Sequence, residues 1–345
     1  MSLNLTYKAE VVVDISNLTR EEWLTYRKKG IGGSDAAAIL GVSPFTTKKD
    51  LYFDKTGKKP VIEDEGNWVA MEVGHRLEDL VAEIFSKKTG LKVFPVRKMF
   101  RHPLYPFMLA DVDFFIEFPD GSYGILECKT TNYNCQEKWA NNTIPVNYEY
   151  QVRHYMAVMN IQKAYIACLY GNNEEEFFIR YLERDLSMEE DLIVEEKTFW
   201  EENVLKKAAP AYGEKADLVL ESIRKHCGPA DPEAGSVALS AKNLTGIQTY
   251  LDLKAEKAKL DSEVKRLEEK MKQSYLGIVE ELGASCGGTL SDGTTEYLIS
   301  YNPAYRTGID KKGLEKLKIQ HPDIYDDYVT TTESRRFSVK SRKAA

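Results

Sequence analysis

Cysteine is scarce in this sequence and follows no pattern. The chain has 345 residues and only five cysteines, an odd number. No two of them form a C-x-x-C pair, so a disulfide framework or a zinc knuckle is disfavoured and we expect a reducing cytoplasm. The cysteines are Cys128, Cys135, Cys168, Cys227 and Cys286.

Long apolar runs are also missing. No stretch approaches the roughly 18 consecutive apolar residues of a membrane helix, and the first residues lack the basic and then apolar layout of a signal peptide. Apolar residues make up 43% and charged residues 29% of the chain, which is typical of a globular protein with a real core. We therefore expect no membrane association.

Positive charge is not in excess. A formal net charge of −7 argues against a protein that coats nucleic acid through bulk charge. It remains compatible with an acidic metal site that has basic side chains beside it. No G-x-x-x-x-G-K-[ST] motif for a P-loop is present, and the glycine-rich stretch 30–41 follows charged residues rather than a buried strand, which argues against a dinucleotide site.

The first part of the chain predicts helices followed by a mixed sheet. Thr19 and Glu22 form a capping-box pattern, and Ser34 is the expected N-cap of the next helix. The order of elements predicts an α/β (α+β) core, with a mixed sheet flanked by helices. The predicted helices are 19–29, 34–41, 66–89, 147–160 and 187–207, and the predicted strands include 91–96, 107–118 and 125–131.

A second kind of sequence begins after a segment rich in Ala, Pro and Gly, and we predict the domain boundary at 210. Apolar residues then fall on a 4-3 spacing, interrupted at Lys257 and Ser274, which predicts one long helix. This helix either packs within its own domain or pairs with another helix. A small hairpin, a short helix and a basic tail follow. The apolar positions are Leu253, Leu260, Val264, Leu267, Met271 and Ile278.

The residues most indicative of chemistry are Asp113, Glu127 and Lys129. Side chains two apart on a strand point to one face, so Glu127 and Lys129 project together from an otherwise apolar strand. The PDG turn at 119–121 predicts that the strand with Asp113 pairs with the strand that contains Glu127 and Lys129. Two carboxylates on adjacent strands suit Mg²⁺ or Mn²⁺, and Lys129 would hold the attacking water or help to deprotonate it. A salt-bridged hairpin without catalytic role is the alternative interpretation.

Other candidates lie on three predicted helices. Glu78 lies at the edge of an apolar stripe and can reach the same metal site, although a solvated boundary glutamate is the simpler interpretation. Gln151 and Tyr155 share a helix face at i, i+4 spacing, which packing would explain equally well. Arg27 precedes a helix start at Ser34, a combination suited to phosphate binding. The alternative there is an ordinary tight connection.

Together these motifs resemble the YqaJ-type viral recombinase family, the relatives of phage lambda exonuclease in the PD-(D/E)XK nuclease superfamily. The resemblance covers roughly residues 20–205 and consists of six motifs in the same order. The motifs are Trp23 with Arg27, Gly32-Gly33-Ser34-Asp35, Gly74 to Glu78, Ala110-Asp111-Val112-Asp113, Glu127-Cys128-Lys129, and Gln151 with Tyr155.

The resemblance implies a restriction-endonuclease-like core that binds two divalent ions, Mg²⁺ or Mn²⁺. Asp113 and Glu127 then resemble the metal ligands, together with Glu78 and the backbone carbonyl of Cys128. Lys129 resembles the catalytic lysine. Gln151 resembles the glutamine of the QxxxY motif beside the site.

The implied activity is a 5′-to-3′ exonuclease on double-stranded DNA in phage-type recombination. Arg27 and Ser34 resemble the pocket for the terminal 5′-phosphate, and Tyr155 a further DNA contact. Implied partners are duplex DNA ends, a single-strand annealing protein and further copies of the chain, in a bacterial host's cytoplasm. Val112 stands where the family has proline, and Asp111 receives no role from the resemblance.

Three alternatives stay open. A structure-selective or restriction-type endonuclease would have the same active site, and only the pocket at Arg27 and Ser34 argues against it. The nuclease branch with an iron–sulfur cluster is disfavoured because the cysteines lack its spacing. A non-catalytic DNA-binding or assembly module is disfavoured because clustered carboxylates repel phosphate.

Overall fold

The computed structural model describes residues 3, 5–62, 68–330, 337 and 339. It divides into two compact units, Met1–Pro229 and Ala230–Ala345. Within the described residues, no helix combines the length and the apolar character needed to cross a membrane.

The first unit is a mixed α/β structure, as the sequence predicts. A 3-10 segment (Tyr133–Asn142) precedes the helix Val146–Met159, and a π-helical turn (Phe199–Leu205) continues the helix Leu186–Thr198. In chain order its main elements are β1 (Glu10–Asp14), α1 (Arg20–Arg27), β2 (Ile31–Gly32), α2 (Gly33–Ile39), α3 (Lys48–Lys55), α4 (Trp68–Thr89), β3 (Lys92–Phe94), β4 (Lys98–Arg101), β5 (Met108–Ala110), β6 (Phe114–Glu117), β7 (Tyr123–Thr130), α5 (Val146–Met159), β8 (Lys163–Leu169), β9 (Phe177–Glu183), α6 (Leu186–Thr198) and α7 (Ala216–Cys227).

The larger sheet has the strand order β3-β6-β7-β8-β9. The predicted hairpin is confirmed: β6 and β7 are antiparallel, with Phe114 opposite Leu126 and Glu117 opposite Tyr123. β8 is parallel to β7, and α5 forms the crossover between them. Since Asp113 directly precedes β6, this register brings it next to Glu127 on β7.

Helices cover both faces of this sheet. Val81 and Phe85 of α4 pack on one face against Leu126 and Cys128 of β7. On the other face, Val152 and Met156 of α5 pack in a separate apolar cluster. The predicted apolar stripe of α4 is thus buried at Val81 and Phe85, whereas Leu80 at its edge is 43% exposed. Residues 66 and 67 of the predicted helix lie outside the described residues.

The prediction of a single strand over residues 107–118 is wrong, because this stretch forms two strands in different sheets. β5 belongs to a second sheet, of order β1-β4-β5-β2, whereas β6 belongs to the larger one. The chain changes sheets at Asp111–Asp113, because β5 pairs with β4 and with β2 while β6 pairs with β7. Parallel pairing of β2 with β5 also places Gly32 beside Leu109, two residues before Asp111.

Helix starts follow local hydrogen bonds, with one correction. The capping box predicted at Thr19 and Glu22 is present, with the Thr19 N–H donating to the Glu22 carboxylate at 2.8 Å. α2, however, begins at Gly33 rather than after Ser34. The Asp35 carboxylate accepts the Gly32 N–H at 2.9 Å, while the Ser34 hydroxyl is turned towards Arg27.

The first unit ends later than the predicted boundary at 210, because α7 packs onto it. Asp50 of α3 accepts hydrogen bonds from the Ser222 hydroxyl at 2.7 Å and from His226 Nε2 at 2.9 Å. The backbone carbonyl of Lys225 accepts the N–H groups of Val61 and Ile62. These contacts make α7 part of the first unit, and the boundary moves to Pro229.

The second unit contains the predicted long helix, α8 (Leu244–Leu282), and the predicted hairpin, β10 (Gly287–Ser291) with β11 (Glu296–Ser300). Two short helices follow instead of one, α9 (Lys311–Gln320) and α10 (Pro322–Tyr328). The apolar 4-3 positions of α8 range from 42% exposed at Ile278 to 65% exposed at Met271. Pairing of this helix with another stays a prediction.

Candidate active site

One cleft of about 820 Å³ in the first unit brings together all the site residues predicted from the sequence. It opens where α1, α4 and α5 meet the sheet change between β5 and β6. The predicted residues that line it are Arg27, Ser34, Glu78, Asp113, Glu127, Cys128, Lys129, Gln151 and Tyr155.

Glu127 is the most buried acid of the cleft, with a side chain only 1% exposed. Its Oε1 accepts hydrogen bonds from Lys129 Nζ and from Gln151 Nε2, the latter at 2.5 Å. Its Oε2 is also buried, but no group among the described residues donates to it. A buried carboxylate oxygen without a partner is costly, so this atom is a candidate metal ligand.

Asp113 and Glu78 add two carboxylates to the same cleft. The Cys128 N–H donates to Asp113 Oδ2 at 2.9 Å, which fixes that side chain against β7. Burial and the nearby Asp113 raise the pKa of Glu127 to about 8, and the same two causes raise that of Glu78 to about 6. Burial raises the pKa of Asp113 as well. When the three acids are ionised, Lys129 balances only part of their negative charge. A divalent cation would balance the rest.

As the side chains stand, no three His, Cys, Asp or Glu groups of the described residues converge as a complete metal-ligand set. Glu127 Oε1 is bonded to Lys129 and Gln151, and Glu78 is turned towards His75, with 3.6 Å between Oε1 and Nδ1. The donors nevertheless suit Mg²⁺ or Mn²⁺, since all are hard oxygens and Glu127 Oε2 is buried without a partner.

Lys129 remains a cation in this environment. Burial by itself would lower the pKa of its ammonium group, but Glu127 and Asp113 raise that pKa above its usual value. Its Nζ also lies 5.1 Å from the centre of the Tyr148 ring. A lysine held charged is suited to stabilise negative charge on a phosphate, and unsuited to accept a proton from water.

A second cluster of charged residues at the same cleft contains Arg27. Arg27 Nη2 donates to the Ser34 hydroxyl at 2.7 Å and lies 3.3 Å from Asp35 Oδ1. Lys55 Nζ lies 2.7 Å from Asp35 Oδ2, and its side chain is only 2% exposed. Two cations share the Asp35 carboxylate, and the Arg27 guanidinium lines the cleft, where it is suited to bind an anion.

Steric contacts explain why both residues before Ser34 are glycines. A Cβ on Gly33 would lie 2.5 Å from Tyr155 Cε1 and 2.9 Å from the Gln151 carbonyl, so only glycine allows α2 to approach α5. A Cβ on Gly32 would lie 3.0 Å from Arg27 Nη2. This loop is therefore more than a tight connection, since it determines how closely the arginine cluster approaches the QxxxY helix.

Sequence reasoning missed three residues that support this arrangement. Asp35 was visible inside the GGSD motif, but its partner Lys55 lies on α3 and carries no local signal. His154 is buried on α5, where Nε2 bonds to the Leu109 carbonyl at 2.8 Å and Nδ1 to Glu196 at 2.7 Å. These bonds tie the helix of Gln151 and Tyr155 to β5 and α6.

Comparisons with known proteins identify the family. A model of the YqaJ-like viral recombinase domain matches residues 22–162. Protein YqaJ of Bacillus subtilis (strain 168) is 37% identical over 336 residues, which cover 96% of this chain and 98% of that protein. The chain belongs to the YqaJ family. The predicted resemblance is thus confirmed, and the matched stretch contains every motif residue from Trp23 to Tyr155.

Solved structures with some likeness to this YqaJ-family protein include two exonucleases. The alkaline exonuclease LHK-Exo from Laribacter hongkongensis is 19% identical, with a TM-score of 0.45, over 55% of this chain and 94% of that one. A phage related exonuclease from Haemophilus somnus 129PT is 14% identical, with a TM-score of 0.37, over 52% and 96%. The family assignment rests on the sequence matches alone.

The crowded acids predict that metal binding stabilises this YqaJ-family protein, and more so at high pH. Because the folded-state pKa of Glu127, about 8, exceeds its ordinary value of 4.5, the native protein binds more protons than the unfolded chain between these values. Without metal, the free energy of unfolding should therefore fall as pH rises through this window. Mg²⁺ or Mn²⁺ at about 100 times its dissociation constant should raise the melting temperature by about 5 °C at pH 8, and by less at pH 5.5.

Differential scanning fluorimetry of wild type, Glu127→Gln and Glu83→Gln measures this effect. Glu83 is an exposed acid of α4 that pairs with Lys87 outside the cleft, so its variant is the matched control. Glu127→Gln should lose most of the metal-induced shift, while the control should keep it. An equal shift in all three proteins would contradict a metal site at Glu127.

Proposed function

We propose that this YqaJ-family protein is a Mg²⁺- or Mn²⁺-dependent exonuclease that digests one strand of double-stranded DNA from its 5′ end during phage-type recombination. One observation supports this most strongly: a single cleft contains both a buried carboxylate cluster and a separate arginine cluster. The first suits phosphodiester hydrolysis, and the second suits the terminal phosphate of a DNA end.

In this proposal each group of the acidic cluster has a defined task. Asp113, Glu127 and Glu78 hold the divalent ions, with the Cys128 carbonyl as a further oxygen ligand. The ions supply Lewis-acid activation of water and of the scissile phosphate when bound. Gln151 and Lys129 both donate to Glu127 Oε1, which leaves Oε2 for the metal. Lys129, held charged, balances the negative charge that develops on the phosphate.

The arginine cluster defines the polarity in this proposal. Arg27 and Ser34 bind the 5′-phosphate, and Asp35 orients the arginine. The charge comes from side chains, since α2 has only seven residues and short helices contribute little dipole. Tyr155 lies against Gly33 between the two clusters and would contact the terminal nucleotide.

Partners and location belong to the same proposal. Duplex DNA ends are the substrate, and a single-strand annealing protein would receive the strand that digestion exposes. The exposed apolar positions of α8 offer a surface for association with further copies or with such a partner. The expected setting is the cytoplasm of a bacterial host, with a phage or prophage origin.

One gel experiment tests the proposed function. A linear duplex with 5′-phosphates and a 3′ label on one strand is incubated with protein and Mg²⁺, beside a closed circular duplex. Digestion from the 5′ end should shorten the labelled strand progressively while the label stays on the shrinking fragment, and EDTA should stop the reaction. Cleavage of the circle would indicate an endonuclease, and binding without cleavage would indicate a binding module.

A further inference from the structure

Asp111 lines the cleft but has no task in the proposed function. It lies where the chain leaves β5 for β6, two residues before Asp113. Its Oδ2 accepts a hydrogen bond from the indole Nε1 of Trp23 at 2.6 Å. The two residues are 88 positions apart in the sequence, so this bond ties α1 to the strand change that carries Asp113.

Trp23 in turn contacts the arginine of the phosphate cluster. The two residues are one turn apart on α1, and the Arg27 guanidinium lies 5.0 Å from the centre of the Trp23 ring. That separation is within the range of a cation–π interaction, which depends on the ring being held in one orientation. Arg27 is thus held from two sides, by the Trp23 ring and by Asp35.

We infer that Asp111 is a positioning residue for recognition of the 5′-phosphate: by holding the Trp23 indole, it orients Arg27. This inference rests on the proposed function of the Arg27 cluster.

The indole N–H of Trp23 needs a hydrogen-bond acceptor at position 111, and that acceptor does not have to carry a charge. Asn at 111 keeps an oxygen that can accept from Trp23 Nε1, whereas Ala removes it. Phe at 23 keeps a ring beneath Arg27 but has no N–H to donate. Asp111→Ala and Trp23→Phe should therefore produce the same defect, and their combination should add little, because both remove one hydrogen bond.

The test measures binding without cleavage. Internally labelled duplexes with either 5′-phosphate or 5′-hydroxyl ends are titrated by fluorescence anisotropy in EDTA and in Ca²⁺. Wild type should bind the phosphorylated duplex more tightly. In Asp111→Ala and Trp23→Phe, the ratio of the two dissociation constants should fall about tenfold, the usual effect of losing one charge-assisted hydrogen bond. In Asp111→Asn, this ratio should stay within about twofold of the wild-type value. Asp120→Ala, an exposed acid at the tip of the β6–β7 hairpin, is the control.

Turnover with Mg²⁺ gives a second readout. Asp111→Ala should raise KM for the phosphorylated duplex about tenfold and leave kcat within about twofold, because Arg27 and not the acidic cluster is disturbed. Melting temperatures confirm that each variant is folded. If Asp111→Ala unfolds, Trp23→Phe keeps the test decisive, because a phosphate preference that survives in this variant would overturn the inference.

The possible outcomes distinguish a failure of this inference from a failure of the proposed function. A wild-type protein that binds both duplexes equally overturns the phosphate cluster and the inference together. A wild-type preference that survives in Asp111→Ala or is lost in Asp111→Asn overturns the inference alone. Loss of the Mg²⁺-induced rise in melting temperature in Asp111→Asn would show that Asp111 is a metal ligand, which also overturns it.

Discussion

Glu127→Gln is expected to lower the rate of DNA cleavage by about a thousandfold or more while leaving the protein folded. The Oε2 atom of Glu127 is buried without a partner among the described residues. Its Oε1 atom accepts hydrogen bonds from Lys129 and Gln151. The amide removes a negative ligand from the proposed metal site and disturbs the bond to Lys129. Asp113→Asn should have an effect of similar size, because it removes the second carboxylate at the end of the same hairpin.

Stability should change in the opposite direction to activity. Burial raises the pKa of Glu127, so the ionised form costs free energy in the metal-free protein and the neutral amide relieves that cost. Single-turnover cleavage with Mg²⁺, together with thermal unfolding without metal at pH 8, should show an inactive variant that is at least as stable as wild type. Glu117→Gln alters an exposed acid of the same hairpin, paired with Lys92, and should leave both quantities unchanged. Normal turnover by a folded Glu127→Gln protein would remove the proposed active site.

Arg27→Ala is expected to abolish the preference for a 5′-phosphate, with a loss of about tenfold to a hundredfold in kcat/KM on phosphorylated ends. Rates on 5′-hydroxyl ends should change little, because the acidic cluster is untouched. Asp35 keeps Lys55 as its partner at 2.7 Å, so the variant should fold. Arg27→Lys should restore little, since an ammonium group cannot reproduce the guanidinium's simultaneous contacts with Ser34, Asp35 and the Trp23 ring.

Lys28→Ala provides the matched control for this prediction. Lys28 is the next residue along the chain, half exposed, and faces Asp54 rather than the cleft. Competition between phosphorylated and hydroxyl-ended duplexes in one reaction measures the preference directly. A folded Arg27→Ala protein that still selects phosphorylated ends would contradict a phosphate pocket at Arg27 and would favour the endonuclease alternative.

The iron–sulfur alternative receives no support from the structure. All five cysteines lie within the described residues, and none of them forms a disulfide. Cys128 packs beneath the sheet against α4, and Cys168 belongs to the apolar cluster on the opposite face. Two thiols buried in different apolar clusters, with the pKa of each raised mainly by burial, are poor cluster ligands.

Short-range sequence patterns determined much of the local structure. The Thr19–Glu22 capping box, the PDG turn and the common face of Glu127 and Lys129 each depend on residues two to five apart, whose geometry the backbone sets by itself. The apolar stripe of α4 predicted which face is buried, and the same pattern left Glu78 at its edge. The mixed α/β class followed from the order of these elements.

Only the tertiary structure decided how the clusters meet. The 107–118 stretch looks like one strand because both of its halves are apolar, yet pairing with β4 and β2 on one side and β7 on the other divides it at Asp111–Asp113. The Lys55–Asp35 pair, the Trp23–Asp111 bond and the docking of α7 on Asp50 join residues that are distant in the chain. No local propensity encodes such contacts, because their free energy appears only after the sheets and helices have packed.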